Sequence, residues 1–222
     1  MSNTTQYKLV YFNLRTLGEP IRMLFKYMQI QFEDVRIDPA EWQGQVRTSC
    51  KWLKVPELHT TDSNGKTYCL TQTSAICRYL ANSYPTFELM PTDPLDQARC
   101  DMIVDAVQDF RMRMKPYIVA KYFDPEGCSK LSQLKKELLD DEFWIYLKNM
   151  DQILEEERGD FICGEKVRWA DFFLANFTAI WEEIFDDENL LKAYENLKKQ
   201  QQAVESLPKI QEWIKQREYT KI

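Results

Sequence analysis

The sequence predicts a small α/β domain of order βαβ-ββα, built on a four-stranded mixed sheet, followed by an all-α domain. Three observations predict it. Residues 1–84 mix short β-prone runs with helical spacing, "YPTFELMPTDP" sets three prolines close together, and beyond them only helical spacing recurs. The boundaries read as 1–84 for the first domain, 85–92 for a linker and 93–222 for the helical domain.

The elements follow in order. "YKLVYF" is a strand, and Ile21, Leu24, Phe25 and Met28 then recur at helical spacing from about Glu19. "FEDVRI" alternates, with Val35 and Ile37 on one face, as a second strand. An irregular stretch around Trp42 to Leu53 leads to "KVPELHT" and "TYCLT", which "DSNGK" joins as a hairpin. "QTSAICRYLANSY" returns to helical spacing through Ile76, Tyr79 and Leu80. In the second half Ile103, Ala106, Val107, Phe110 and Met114 mark one long helix, and Trp169 to Ile184 marks a more apolar one suited to the core. Leu190 to Leu197 and Ile210 to Ile214 suggest two more.

Composition removes several functions. The formal net charge of -6 and pI near 5.1 do not suit a general nucleic-acid binder, which needs a basic face. No apolar run reaches the roughly 18 residues of a membrane span, and "MSNTTQYK" has no signal-peptide pattern. The expected setting is cytoplasmic, with neither nucleic acid nor membrane as partner. Six cysteines are scattered without a C-x-x-C, and His59 is the single histidine, so spacing gives no zinc site and no thiol redox motif. Reduced, mostly buried thiols are expected. The six glycines form no phosphate-binding loop, and His59 in "VPELHT" has no nucleophile motif near it.

A βαβ-ββα unit joined to a helical domain is naturally a thioredoxin-like domain with an all-α partner. That fold usually carries a proline, often cis, before its third strand, and Val55-Pro56 stands there. A cis bond there turns the backbone N–H and C=O of the preceding residue toward an extended peptide.

These residues resemble the cytosolic glutathione S-transferases, the sigma class in particular. "YKLVYFNLR…EPIR" is similar to that class's opening and "LTQTSAICRYLA" to its Q-S-x-A-I-x-R-Y-L-A segment. "WADF" and "LPKIQEWIKQREYTKI" are similar to its closing helices, so the resemblance spans essentially the whole chain.

The resemblance implies a site for glutathione as co-substrate, with no metal required. Tyr11 matches the catalytic tyrosine, whose hydroxyl would donate to the sulfur and favour thiolate; otherwise it is a wet tyrosine at a strand end. Arg15 matches an arginine beside the sulfur, or pairs with Glu19, and both roles are compatible. Gln72 and Thr73 match the Gln-Ser pair that binds the γ-glutamyl carboxylate at a helix N-terminus. Trp42 and Arg47 match a Trp and a Lys that receive the glycyl carboxylate, here five apart where four is usual. Lys54 and the Val55 backbone before Pro56 complete the binding set. Asp109 matches an acid that reaches the neighbouring subunit's glutathione, which implies a homodimer. Phe12, Arg15, Arg111, Met112 and Met114 are the expected lining of a second-substrate pocket for small hydrophobic electrophiles.

Departures shape the functional expectation. "NLRTLGEP" lacks the usual R-G pair, and "TSCKWLKVP" replaces P-F-G before the proline. "EKVRWAD" has Arg168 where the capping box has Ser or Thr. "FRMRMKPY" lacks the Cys and Trp that help line a prostaglandin pocket. Conjugation of glutathione to electrophilic carbon therefore ranks above glutathione-dependent isomerisation of the prostaglandin D synthase type or peroxide reduction. A non-catalytic, crystallin-like relative is the alternative from another class.

Overall fold

The computed structural model describes residues 5–38, 41–42, 44–124, 126–220 and 222. Strand β1 (Gln6–Phe12) sends Tyr7, Leu9 and Tyr11 inward while Gln6 and Lys8 face out, as alternation along a half-buried strand requires. It pairs in parallel with β2 (Glu33–Ile37) across helix α1 (Glu19–Tyr27), and antiparallel with β3 (Glu57–Thr61). Strand β4 (Thr67–Thr71) pairs antiparallel with β3, giving the order β2-β1-β3-β4 expected of a βαβ-ββα chain. The β3–β4 turn is tied by Asp62 Oδ1, which accepts from the backbone N–H groups of Asn64 and Lys66.

Helices α1 and α3 (Thr73–Ser83) cover the sheet. Leu9, Leu58, Ile21, Leu24, Phe25, Ile76 and Leu80 are all fully buried, each contributing about 1.5–3 kcal/mol by its removal from water. The segment expected to be irregular holds a one-turn helix, α2 (Gln45–Ser49). None of its residues is buried, so it carries no apolar periodicity to read.

The described residues form two compact units, one reaching Met90 and taking back Leu207–Thr220, the other Pro91–Ser206 with the C-terminal end. Helix α9 (Pro208–Gln216) therefore packs in the first unit, against α1. Trp213 Nε1 and Arg217 Nη1 both donate to Glu19 Oε1, at 2.8 and 2.9 Å.

Arg22 is the polar centre of this unit, with its guanidinium 1% exposed. Its Nε donates to both oxygens of Asp34 at 3.1 and 3.0 Å, Nη1 to the Leu14 carbonyl at 2.8 Å and to Glu19, and Nη2 to the Phe12 carbonyl. One side chain thereby joins β1, its following turn, α1 and β2.

The second unit is helical: α4 (Pro94–Tyr122), α5 (Leu131–Leu138), α6 (Asp141–Glu156), α7 (Trp169–Phe185) and α8 (Glu195–Glu205). Helix α4 starts at Asp93, whose carboxylate accepts from Leu95 and Asp96 N–H, with Pro94 at the first helical position. Helix α7 is the core, as its apolar run predicts. Phe110, Phe143, Tyr146 and Trp181 stack edge and face between α4, α6 and α7. Leu190 to Leu197 is not one helix: Leu190 and Leu191 are buried in a turn, and α8 begins only at Glu195.

At the start of α7 the guanidinium of Arg168 has no acceptor to offer as a cap. The Asp171 N–H goes to the Arg168 backbone carbonyl instead. Asp171 still supplies the reciprocal half, accepting from Arg168 N at 2.7 Å, and it also accepts from Ile162 N and Gln200 Nε2. Burial raises its carboxyl from 3.8 to about 6 against the pull of those donors.

Arg22→Met should cost about 3–5 kcal/mol, seen as a lower urea midpoint, because it takes the buried donors away from Asp34, Glu19 and the Phe12 and Leu14 carbonyls. Asp171 holds its proton more tightly folded than unfolded, so its contribution is full below about pH 4 and is lost as pH rises through about 6. Urea unfolding across that window should show the native chain losing stability relative to Asp171→Asn.

Candidate functional site

The end of β1 is where the chemistry-bearing residues of the first unit collect. After Phe12 the chain turns, held by Asn13 N–H on the Ile37 carbonyl and by Gly18 and Glu19 N–H on the Arg15 carbonyl. The turn folds back over Tyr11, which is only 4% exposed, so it is not a solvated strand-end tyrosine. Its hydroxyl lies 2.6 Å from Thr16 Oγ1, where either group can donate, and it accepts from Leu17 N–H at 3.3 Å.

The ring is walled in. A Cβ at Gly18 would overlap it, so this position needs glycine for close approach, and the Arg22 guanidinium lies 5.9 Å from the ring centroid.

The same turn is tied to α3. Thr73 Oγ1 donates to the Leu17 carbonyl at 3.0 Å, linking Thr73, Leu17 and Tyr11 through successive hydrogen bonds. Gln72, just before α3, sits at φ 70° and ψ 116°, a left-handed backbone that costs a non-glycine residue about 1–3 kcal/mol. The first N–H groups of α3 have no carbonyl earlier in that helix to bond, the arrangement that suits an anion.

Register brings further residues into line. Val10 pairs with Glu57 and Glu57 with Thr71. Continued by one residue, these ladders set Pro56 opposite Tyr11 and Gln72 opposite Pro56. The Val55-Pro56 peptide is cis. Trp42 packs edge-on to Phe12, with ring centroids 5.0 Å apart, at the same end of β1. Tyr11, Phe12, Trp42, Val55, Pro56, Gln72 and Thr73 are thus gathered at one end of the sheet.

Other expected residues are placed differently. Arg15 is buried in the turn, and Arg47 on α2 and Lys54 are exposed. In the second unit Asp109 is exposed on α4, and Arg111 Nη2 donates to Met112 Sδ. Met112 is 54% exposed whereas Met114 is 1% exposed. Residues two apart lie on nearly opposite faces of an α-helix, so Met114 serves packing while Met112 faces out.

Reading the sequence missed Thr16 and the Leu17 N–H as partners of the phenol, and Gly18 as the slot for its ring. The one signal was the unusual "RTLG" where the resemblance leads one to expect R-G.

Two family models match the chain. Residues 7–82 match the glutathione S-transferase N-terminal domain and residues 109–217 the glutathione S-transferase C-terminal domain. Among similar proteins, glutathione S-transferase 1 of Ascaris suum is 29% identical over 97% of this chain and 98% of its own length. Human hematopoietic prostaglandin D synthase is 30% identical over the same shares of each. Among solved structures, rat hematopoietic prostaglandin D synthase bound to a quinoline superposes with a TM-score of 0.80 at 30% identity, covering 98% of this chain and 100% of that one. The Necator americanus transferase Na-GST-3, described as monomeric, gives 0.81 at 26% identity over 98% and 100%. With both halves matched and the strand-end tyrosine, cis proline and α3 N-terminus brought together, the chain belongs to the glutathione S-transferase family.

Proposed function

We propose that this transferase holds glutathione as thiolate at Tyr11 and delivers the sulfur to electrophilic carbon in small apolar compounds. The observation that carries this reading is the pair of groups on the Tyr11 oxygen. Leu17 N–H can only donate to it and Thr16 Oγ1 lies 2.6 Å away, so the turn holds the phenolic oxygen at the end of β1, where a thiol can be brought to it. A phenol that accepts a hydrogen bond becomes a better donor through polarisation. The thiol proton goes to solvent, the thiolate forms the new S–C bond, and the electron pair leaves with the displaced group or is protonated at the neighbouring carbon.

The rest of the set suits the tripeptide. The α3 N-terminus at Gln72 and Thr73 takes the γ-glutamyl carboxylate. The Thr73 hydroxyl hydrogen is engaged at Leu17, so its backbone N–H is the donor offered. Val55 supplies backbone pairing, while Trp42, Lys54 and Arg47 face the glycyl end. Arg15 adds positive charge to the turn. Asp109 serves a homodimer by reaching the partner's glutathione amine. No metal takes part in the transfer, and the six free thiols fit a reducing cytoplasm.

A second reading, isomerisation through the same thiolate, is favoured by the relatives named prostaglandin D synthase. "FRMRMKPY" keeps conjugation first, and product analysis separates the two.

Ultraviolet titration of bound glutathione tests the reading. Thiolate absorbance should appear near neutral pH in the native protein and move to higher pH in Tyr11→Phe, with turnover falling roughly 10- to 1000-fold. A bound thiol that ionises as in water would make the chain a binding protein. Thr16→Val should slow turnover about 5-fold, the worth of one hydrogen bond, and Thr16→Ser should restore it. Equal rates in all three would remove Thr16 from the account.

A further inference from the structure

Outside the glutathione site, the hairpin of β3 and β4 brings together groups that nothing above uses. Glu57 and His59 are two apart on β3 and so share a face, and Cys69 on β4 is the direct cross-strand partner of His59. A carboxylate oxygen of Glu57, an imidazole nitrogen of His59 and the Cys69 sulfur all lie within 4.8 Å of one another. The His59 Nε2 to Glu57 Oε2 separation is 3.4 Å.

The carboxylate is already oriented. Glu57 is 5% exposed, and its Oε1 accepts from the Lys51 backbone N–H at 2.6 Å, which leaves Oε2 aimed at the imidazole. A buried carboxylate on a strand is costly unless a cation faces it. Protonated His59 would meet that need but leave the sulfur with nothing to do except share a proton with the carboxylate. A divalent ion uses all three donors.

We propose that Glu57, His59 and Cys69 form a binding site for a borderline-soft divalent ion of the zinc type. Thiolate, imidazole and carboxylate together select such an ion over magnesium or calcium, which prefer oxygen alone. Donors at about 2.0–2.3 Å from a tetrahedral ion stand roughly 3.5 Å apart. The His59–Glu57 pair already has that spacing, and Cys69 closes by a side-chain rotation. Water takes the fourth position.

The ion binds with release of the Cys69 thiol proton to solvent and forms the S–metal bond in its place. The path in is open, because His59 is about one-third exposed and lines a cavity with Lys8, Thr61 and Thr67.

Cobalt(II) added to the full reduced chain is the test. It should give the thiolate-to-cobalt charge-transfer band and the visible bands of a tetrahedral site at one equivalent, and zinc should displace it. Cys69→Ser should abolish the charge-transfer band, His59→Gln should weaken affinity about 100-fold, and Cys128→Ser, at an exposed thiol, should change neither. His59 is the single histidine, so its imidazole 15N signals report ligation by zinc directly. His59→Gln alters a partly exposed side chain and keeps the test independent of any folding defect at Glu57. No charge-transfer band, a band that survives Cys69→Ser, or an imidazole unmoved by zinc would overturn the site and leave a His59–Glu57 ion pair.

Discussion

The buried guanidinium of Arg22 is the constraint on which the first unit depends. It binds the carbonyls of Phe12 and Leu14, on either side of Asn13, and two carboxylates from α1 and β2. Those bonds fix the path of the chain as it leaves β1. Because the path is fixed, Leu17 N–H returns to the Tyr11 oxygen and Gly18 returns to its ring. Glu19 carries the same constraint outward to Trp213 and Arg217 of α9. A cation with five donors in a planar fork can hold so many acceptors at once, and lysine could not.

Local strain and missing caps sit around this framework in a pattern that suits function. Gln72 adopts a left-handed backbone just before α3, whose first N–H groups have no carbonyl earlier in the helix to bond. Arg168 gives up the side-chain cap of α7, and the loss is offset by Asp171, whose carboxylate gathers N–H groups from Ile162, Arg168 and Gln200. The helical unit therefore relies on one buried carboxylate where a hydroxyl would ordinarily share the task.

What could be read from the sequence followed the range over which its signals act. The strands, α1, α3, α4 and α7 were legible because periods of two and of 3.6 survive in "YKLVYF" or from Trp169 to Ile184. The cis bond before Pro56 and the place of Tyr11 at the end of β1 were legible because separated motifs stood in order. Features made by contacts between distant segments were not. Nothing in "LPKIQEWIKQ" announces that α9 returns to α1, and nothing in "RTLG" says that Thr16 meets a phenol. Cysteine spacing gave no metal site, yet His59 and Cys69 face each other because the hairpin register pairs them. Short α2 was invisible because it buries nothing.

On this reading the turn held by Arg22 presents the Tyr11 hydroxyl to a thiol. A crystal structure with glutathione bound tests it most directly. The account predicts the sulfur about 3 Å from the Tyr11 oxygen, with the γ-glutamyl carboxylate on the first N–H groups of α3 and the Leu17 N–H bond to the phenol retained. Glutathione bound with its sulfur away from Tyr11, or a phenol that swings free of Leu17 on binding, would contradict it.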